Sequence, residues 1–513
     1  MNIRRVAPPQ PQALARAVRE EVQPAADRFG PHQQITYTKV GQNRGTPRLW
    51  LEGGRLERCG FEAGAKFMVE LDLTRRQVRL KLDPNGDRTV SGRKRTLTDG
   101  EVRTTPIVDI AGASLGDVLG EGARLRAMLA SGEIVFDLHP VERAIEAREA
   151  RTREHLQAGF LTESALCAGA GVATLALQDG VERSGVQTRV DWIIDRDGRY
   201  LDLAAMNNPA ITPETRLYEA SLEEVETAAL TGTDLLQVSL PCTGHSLSGK
   251  AKRGLNQAED HPTDALATVG LIRILEAVNP SAVVSENVTQ ARDSASYALI
   301  RAYLHEQGYV IFEDFMDSRQ AGTIEDRERW WMVAISRGLA QGFTMDNVPA
   351  LPRTFATLGE AMEAIAVDDT RWKAFEYLEA KAIRDAAAGK GFKRQLVGED
   401  STQVGTIGRG YAKARSTEPF IVREDGLQRL LTPAEHARVK GIPEQLVAGA
   451  SDTLAHEVLG QSILYGHAVG IGVALGEHLQ QAAAAPAPRP PMFDHAAPDA
   501  DCSDEDDSPR MKP

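Results

Sequence analysis

Between residues 162 and 338, short apolar runs alternate with amphipathic helical stretches, and no other pattern in the chain restricts its fold as much. Leu235-Leu236-Gln237-Val238, Ala282-Val283-Val284 and Val333-Ala334-Ile335 read as buried strands, while 271–278 and 297–304 carry helical spacing. Strands separated by helices are expected to form a doubly wound parallel α/β sheet, since a parallel pair needs a crossover long enough to hold a helix. Such sheets bind ligands beyond the carboxyl ends of their strands. Two strand ends here carry reactive groups: Pro241-Cys242-Thr243-Gly244-His245-Ser246 presents a thiol, and Ser285-Glu286-Asn287-Val288 a carboxylate. The sequence thus predicts a thiol and a carboxylate in one cleft.

The 513 residues suffice for about two to four domains. No apolar run approaches the roughly 20 residues of a membrane span, and residues 1–12 lack an apolar signal core, so a cytoplasmic protein is expected. Cys59, Cys167, Cys242 and Cys502 have neither CxxC nor Cys/His spacing; reduced thiols and no metal site are expected. The net charge of −13 argues against a nucleic-acid partner until its distribution is considered. From Phe493 onward, seven acids face only Arg510 and Lys512. Residues 75–95 hold eight bases against two acids, and 371–415 ten against five. Local basic patches are what phosphate contacts need, although each reads equally well as a solvated face.

Seven segments follow from the pattern. Residues 1–33 form an arm, 34–137 a small mainly-β module with period-two alternation, and 138–159 a charged helical connector. The α/β unit begins at 160–338. Its alternation fails over 339–425, a polar and basic region, and helical periodicity returns over 426–480. Residues 481–513, rich in proline, alanine and acid, form a disordered tail. Through Trp50-Leu51-Glu52 and Cys59-Gly60-Phe61-Glu62-Ala63-Gly64, the β module resembles the swapped-hairpin DNA-binding modules of bacterial transition-state regulators. That resemblance implies self-association; a β add-on that only packs is the alternative.

Across roughly 160–480 the chain resembles the cytosine-5 DNA methyltransferases, motif by motif and in one order. Ser164-Ala165-Leu166-Cys167-Ala168-Gly169-Ala170-Gly171-Val172 resembles the first motif, a glycine turn after a strand. Pro241-Cys242-Thr243-Gly244-His245-Ser246 is similar to Pro-Cys-Gln-x-Phe-Ser, and Glu286-Asn287-Val288 to Glu-Asn-Val. Glu325-Asp326-Arg327-Glu328-Arg329 matches Gln-x-Arg-x-Arg in both arginines. The segment from Leu431 to Pro443 resembles the helix that braces the recognition domain, and Gly460-Gln461-Ser462-Ile463 stands where the family has Gly-Asn-Ser-Val.

The resemblance implies a Rossmann-like S-adenosylmethionine-dependent methyltransferase fold with an inserted target-recognition domain. It further implies transfer of a methyl from S-adenosyl-L-methionine to carbon 5 of a flipped-out cytosine in double-stranded DNA. Cys242 would add to carbon 6, Glu286 steady the ring at nitrogen 3, and Arg327 and Arg329 hold the base carbonyl and order the nucleophile loop. Leu166, Cys167, Gly169, Ala170, Gly171, Asp195, Glu219, Pro241, Gln461, Ser462 and Ile463 would hold the cofactor, with Asp195 on the ribose and Glu219 toward the adenine. His245, Ser246, Lys393, Arg394, Arg409 and Tyr411 would contact DNA, the last four from groove-facing segments of the recognition region.

Cys167, Val172, Glu325 and Gln461 depart from the family's phenylalanine, glycine, glutamine and asparagine. An acid at 325, beside the flipped base, is expected to repel phosphate or alter base choice. Two rivals use the same residues differently: an RNA cytosine-5 methyltransferase, and a DNA-binding regulator with a degenerate catalytic half. A nicotinamide enzyme is disfavoured by Val172. Restriction-modification, a solitary methyltransferase and a phage or plasmid protective enzyme all fit the sequence.

Overall fold

In a computed structural model, residues 34–96, 102–241, 262–389 and 394–484 are described. They form two compact units divided between Arg143 and Ala144.

In the first unit, period-two sequences make two antiparallel sheets. The larger has the order β1 (Gln34–Lys39), β9 (Arg124–Ala130), β10 (Glu133–Leu138), β5 (Gln77–Leu82), β4 (Lys66–Asp72), β6 (Arg88–Thr89). The smaller has the order β2 (Gly41–Asn43), β3 (Thr46–Glu52), β8 (Val102–Ala111), β7 (Ser91–Thr96). Alternate residues such as Leu49 and Leu51 of β3 turn into one core with Phe61, Phe67, Leu80 and Phe136. Several cations of the basic stretch meet acids on neighbouring segments: Arg79 lies 3.0 Å from Glu133, Lys81 3.1 Å from Glu70, and Arg93 3.5 Å from Glu52. These exposed pairs add little stability, yet they mute the patch's field.

The second unit is built on a seven-stranded sheet, ordered β13 (Arg216–Glu219), β12 (Gln187–Asp195), β11 (Phe160–Leu166), β14 (Leu235–Val238), β15 (Ala282–Asn287), β18 (Arg329–Ser336), β16 (Tyr309–Met316). The expectation of an all-parallel sheet needs one correction. β18 runs antiparallel to both β15 and β16, because the helix between β16 and β18, Ser318–Ala321, is too short for a crossover. The strand order reverses between β11 and β14, which places the topological switch point between the glycine turn and Pro241.

Helices cover both faces, among them α4 (Val172–Arg183), α5 (Gly198–Asn207), α6 (Pro262–Val278) and α7 (Ala295–Glu306); α1 (Gly54–Arg58) and α2 (Ala113–Leu119) belong to the first unit. The chain's later helices return to the start of this unit: α11 (Tyr465–Ala484) lies along α4 at glycine contacts. A Cβ on Gly180 would stand 2.2 Å from the Val469 carbonyl oxygen and 2.8 Å from Gly472 Cα, so only a glycine admits this approach.

The segment read as a connector, α3 (Pro140–Gln157), is integral to the second unit from Ala144 onward. Most of its buried side chains are polar or charged, with Ile145 the apolar exception, and hydrophobic periodicity does not register them. Arg148 donates to Ser336 Oγ at 2.9 Å and to the Gln307 carbonyl at 2.8 Å; Glu149 accepts from Ser336 Oγ and the Gly338 amide. Asp234, wholly buried before β14, accepts from Thr152 Oγ1 (2.7 Å), the Thr162 amide (2.9 Å) and Thr162 Oγ1 (3.0 Å), with His155 Nδ1 at 2.6 Å. Burial works to raise this carboxyl, but the Thr162 amide, His155 and Thr152 outweigh it and hold it below its ordinary range. The network ties α3 to the amino-terminal side of the sheet, opposite the ligand edge.

Glu163 on β11 is the contrary case, wholly buried with neither carboxylate oxygen bonded among the described residues. Burial, reinforced by Glu182, pushes its carboxyl well above the usual range. The folded state therefore keeps a proton that the unfolded chain loses above about pH 4.5, so this group's contribution declines as pH rises from there toward the folded pKa. Glu163→Leu is expected to stabilise the protein by about 1–3 kcal/mol even near pH 4, where an unbonded buried carboxyl is still costly, and by more near neutrality. Thermal melts of both proteins across that range measure the difference; a gain independent of pH would contradict the assignment.

The stretch after 338 builds its own small core around Tyr411, with Ile324, Leu358, Val404, Ile407, Ile421 and Leu431. Two small sheets frame it, β17 (Glu325–Asp326) with β20 (Val404–Gly405), and β19 (Gln395–Val397), β21 (Pro419–Val422), β22 (Gln428–Arg429). Beside them lie α8 (Glu376–Ala387) and α9 (Pro433–Val439), the latter started by a Thr432–Glu435 capping box. α10 (Asp452–Gln461) follows, and no single described helix is long and apolar enough to cross a membrane.

Candidate active site

The glycine turn after β11 is shaped by backbone. Gly169 and Gly171 have φ of 57° and 71°, and Cys167, at 53°, enters the left-handed region as well. A Cβ on Gly169 would meet nothing within 4 Å, whereas one on Gly171 would stand 2.4 Å from Asn208 Nδ2. Asn208, which sequence reading missed, donates to the carbonyls of Ala170 (3.2 Å) and Gly171 (2.8 Å) and so sets the turn. Its only local sign was a position at the end of a helix, before Pro209.

Asp195 closes β12 directly beside this turn. Its Oδ2 accepts from the Gly169 amide at 2.8 Å and its Oδ1 from the Asp197 amide at 2.9 Å. Burial raises its carboxyl and the two amides oppose that rise. A cavity of about 540 Å³ opens alongside, lined among others by Asp197, Gly198, Glu219 and Arg409. Glu219, at the end of β13, lies against the α5 N-terminus, where a Cβ on Gly198 would stand 2.6 Å from its carboxylate. The side chains of Leu166, Ala170 and Ile463 are buried in the core, leaving only their backbones for a ligand. Ser462 Oγ donates to the Val458 carbonyl. Gln461 is exposed, and the Tyr200 phenol donates to Glu457.

At the next strand end, Glu286 is 9% exposed and its Oε1 lies 3.0 Å from Arg329 Nε. The antiparallel course of β18 explains the meeting: β18 begins where β15 ends, with Glu286 in register with Trp331. Burial pushes the Glu286 carboxyl up, and the charges of Arg329, Arg327 and Lys440 oppose this. Asn287 donates to the Leu240 carbonyl at 3.1 Å and to the Tyr297 hydroxyl at 3.2 Å. That first bond anchors the chain just ahead of half-buried Pro241. Tyr297, also unforeseen, is wholly buried and reaches Ser285 Oγ at 3.2 Å. Cys242, His245, Ser246 and Lys393 lie outside the described residues.

The two arginines of the Glu-x-Arg-x-Arg segment part company. Arg329 faces Glu286, whereas Arg327 turns to Glu325 Oε1 (3.4 Å), the Ile407 carbonyl (3.4 Å) and the Gly460 carbonyl (3.3 Å). Glu325 itself is wholly buried and paired with Lys440, so its charge is matched within the protein and the expected repulsion of phosphate is set aside.

Among the groove-facing expectations, Tyr411 needs correction. Tyr411 is wholly buried, donating to the Pro419 carbonyl and accepting from the Leu431 amide, because its ring is the centre of the small core. Arg409 lines the cavity beside Asp195 and bonds Glu457 through Nε at 2.7 Å, held there by the acids of that edge. Arg394 stacks its guanidinium over Phe420 and donates to Gln428 Oε1. Among the described residues, no group of three or more His, Cys, Asp or Glu side chains is placed to hold a metal.

The sequence profile of the C-5 cytosine-specific DNA methylases matches residues 163–477. The chain belongs to that family. Among curated relatives of this methylase, type II methyltransferase M.SsoII of Shigella sonnei is 24% identical over 253 residues, covering 48% of this chain and 64% of that protein. Type II methyltransferase M.NlaX of Neisseria lactamica is 27% identical over 254 residues, 47% of this chain and 75% of the other. The match thus spans about two thirds to three quarters of these relatives' own length. Among solved structures, the S. pombe Dnmt2 methyltransferase superposes with a TM-score of 0.48 at 17% identity, covering 62% of this chain and 98% of that one.

Proposed function

We propose that the protein is a DNA (cytosine-5)-methyltransferase that moves a methyl group from S-adenosyl-L-methionine to carbon 5 of a cytosine flipped out of duplex DNA. The observation that carries this reading is Glu286: a nearly buried carboxyl at a strand end, paired with Arg329, whose neighbour Asn287 anchors the segment leading into Pro241-Cys242.

The residues at the switch point fit the cofactor. The open space over Gly169, the Asp195 carboxylate beneath it and the cavity edged by Glu219 suit a nucleoside with a polar tail. Cys167, Gly169, Gly171, Asp195, Glu219, Pro241, Gln461 and Ser462 would hold it. When bound, S-adenosylmethionine supplies an electrophilic methyl on a sulfonium.

Cytosine carbon 5 is a poor nucleophile until the ring is activated. The Cys242 thiolate forms a bond to carbon 6, and the charge pushed into the ring is met at nitrogen 3 by the proton of Glu286. A carboxyl raised by burial keeps that proton closer to neutral pH than an exposed one. Arg329 orients Glu286 and tempers the rise, since a planar fork holds a carboxylate in one geometry. After methyl transfer, carbon 5 gives its proton to water, the carbon 5–carbon 6 double bond re-forms as the Cys242 sulfur departs as thiolate, and nitrogen 3 returns its proton to Glu286. A stacked base cannot reach these groups, hence the extrusion. The relatives' designation as type II methyltransferases points to a restriction-modification role.

Incubating the full chain with methyl-labelled S-adenosylmethionine and either duplex DNA or RNA tests the reading. Label should enter DNA, and bisulfite sequencing should place it at carbon 5 of cytosine in a defined context. Label in RNA alone, or in neither polymer, would overturn it.

A further inference from the structure

Glu325 stands where the family's pattern has a neutral glutamine, and its burial makes that substitution consequential. A carboxylate with no solvent exposure is costly unless it is paired and hydrogen-bonded. Its Oε2 lies 2.9 Å from the Lys440 ammonium, which is equally buried. Its Oε1 accepts from the Ile407 amide at 3.2 Å and from Arg327 Nη1 at 3.4 Å. Arg327 in turn reaches the carbonyls of Ile407 and Gly460, and its Nε is buried with no partner among the described residues.

One charge cluster therefore joins four separate parts of the chain. These are β17, the loop after β20, the residue following α9, and the end of α10. Packing here is tight, since a Cβ on Gly460 would stand 2.4 Å from the Gly408 backbone. β17 also pairs with β20 in register, and Thr406 Oγ1 donates to the Asp326 carbonyl. Of the three contacts of Arg327, all 3.3–3.4 Å long, the one to Glu325 is the ion pair and the other two are to backbone carbonyls.

We propose that Glu325 and Lys440 are positioning residues, a matched buried ion pair that sets the orientation of Arg327 and, through Ile407, fixes the recognition region against the catalytic sheet. The inference rests on the methyltransferase reading, which supplies the activity it is measured by. The acid at 325 is tolerated because a base at 440 answers it. Without Glu325 the Lys440 ammonium would face Arg327 and Arg329 with no bonded acid, and without Lys440 the Glu325 carboxylate would keep only the longer contact to Arg327; Glu286, Glu418 and His436 are the other titratable groups around the pair. Burial, then Arg327, pulls the Lys440 ammonium down to about 7, with Glu325 opposing.

The test is a double-variant cycle in the full chain: Glu325→Gln, Lys440→Gln and both together, assayed by labelled methyl transfer to duplex DNA. Each single variant is expected to lose at least about tenfold in kcat, with cofactor Kd changed less than about threefold; the double variant should return to within about threefold of wild type. The pH profile supplies a readout that packing alone would not move. Removing the positive charge at 440 should shift the Glu286 limb to higher pH, removing the negative charge at 325 should shift it lower, and the double variant should sit near wild type. If a single variant does not fold, a folded and active double variant still supports the matched pair. A double variant as impaired as the product of the singles, or singles without effect in an active wild type, overturns the proposal alone. A wild type that methylates nothing overturns the functional reading, and this inference with it.

Discussion

Cys242→Ser is expected to abolish methyl transfer, lowering the single-turnover rate by about 10⁴-fold or more, while duplex and cofactor binding stay near wild type. Sulfur and oxygen differ little in size here but greatly in acidity. A thiol with a pKa near about 8.5 supplies some thiolate at neutral pH, and a serine hydroxyl supplies essentially no alkoxide. The bond from Asn287 to the Leu240 carbonyl holds the chain just before this residue in either case, so the loss would be chemical. The same pair gives a covalent signature. A duplex carrying 5-fluorocytosine cannot lose a proton from carbon 5 after methylation, so wild type should remain bonded to it through denaturing electrophoresis and Cys242→Ser should not. A serine variant that kept even a hundredth of the wild-type rate would rule out the thiol as nucleophile.

Glu286→Gln is expected to cost about 10²–10⁴-fold in kcat. The isosteric amide keeps the volume at the end of β15 but removes the ionisable proton and leaves Arg329 facing a neutral group. Because burial raises this carboxyl, its protonated form persists to higher pH than an ordinary glutamic acid's, and activity is lost as pH rises through its folded value. Cys242 contributes the opposite limb, gaining thiolate as pH rises, so wild-type kcat should be bell-shaped with Glu286 on the descending side. In Glu286→Gln that descending limb should vanish, leaving a lower curve that only rises. Rate against pH for the two proteins decides it; an unchanged descending limb would assign the acid to another residue. Part of the loss is structural, since removing one member of a buried pair strands the other, and a thermal melt of the variant separates the two contributions.

Much of the candidate site was legible in the chain because strand ends announce themselves. An apolar run followed by Glu-Asn-Val, or by a glycine turn, locates a residue at the carboxyl edge of a sheet whatever the neighbours are, and Glu286, Gly169 and Asp195 all stand there. Residues whose role depends on a partner far along the chain were not legible. Asn208 acts on Ala170 and Gly171, 38 and 37 residues away, and Lys440 answers Glu325 across 115. Tyr411 looked like a groove residue because its neighbours are glycine and arginine, yet its ring anchors a small core drawn from residues scattered between 324 and 439. The charged helix α3 read as a connector since periodicity counts apolar side chains, and its buried face carries Arg148, Glu149 and Thr152 beside Ile145.

By itself the sequence determined the alternation of strands and helices, the strand end that carries Glu286 and the order of the motifs, for these depend on local spacing and on which side chains water rejects. Only the tertiary structure decided that β18 runs backwards beside β15, which delivers Arg329 to Glu286 and leaves Arg327 to the Glu325–Lys440 pair. The physical reason is that the energy of a buried charge is set by what stands within a few ångströms of it, and the chain places those partners anywhere along its length.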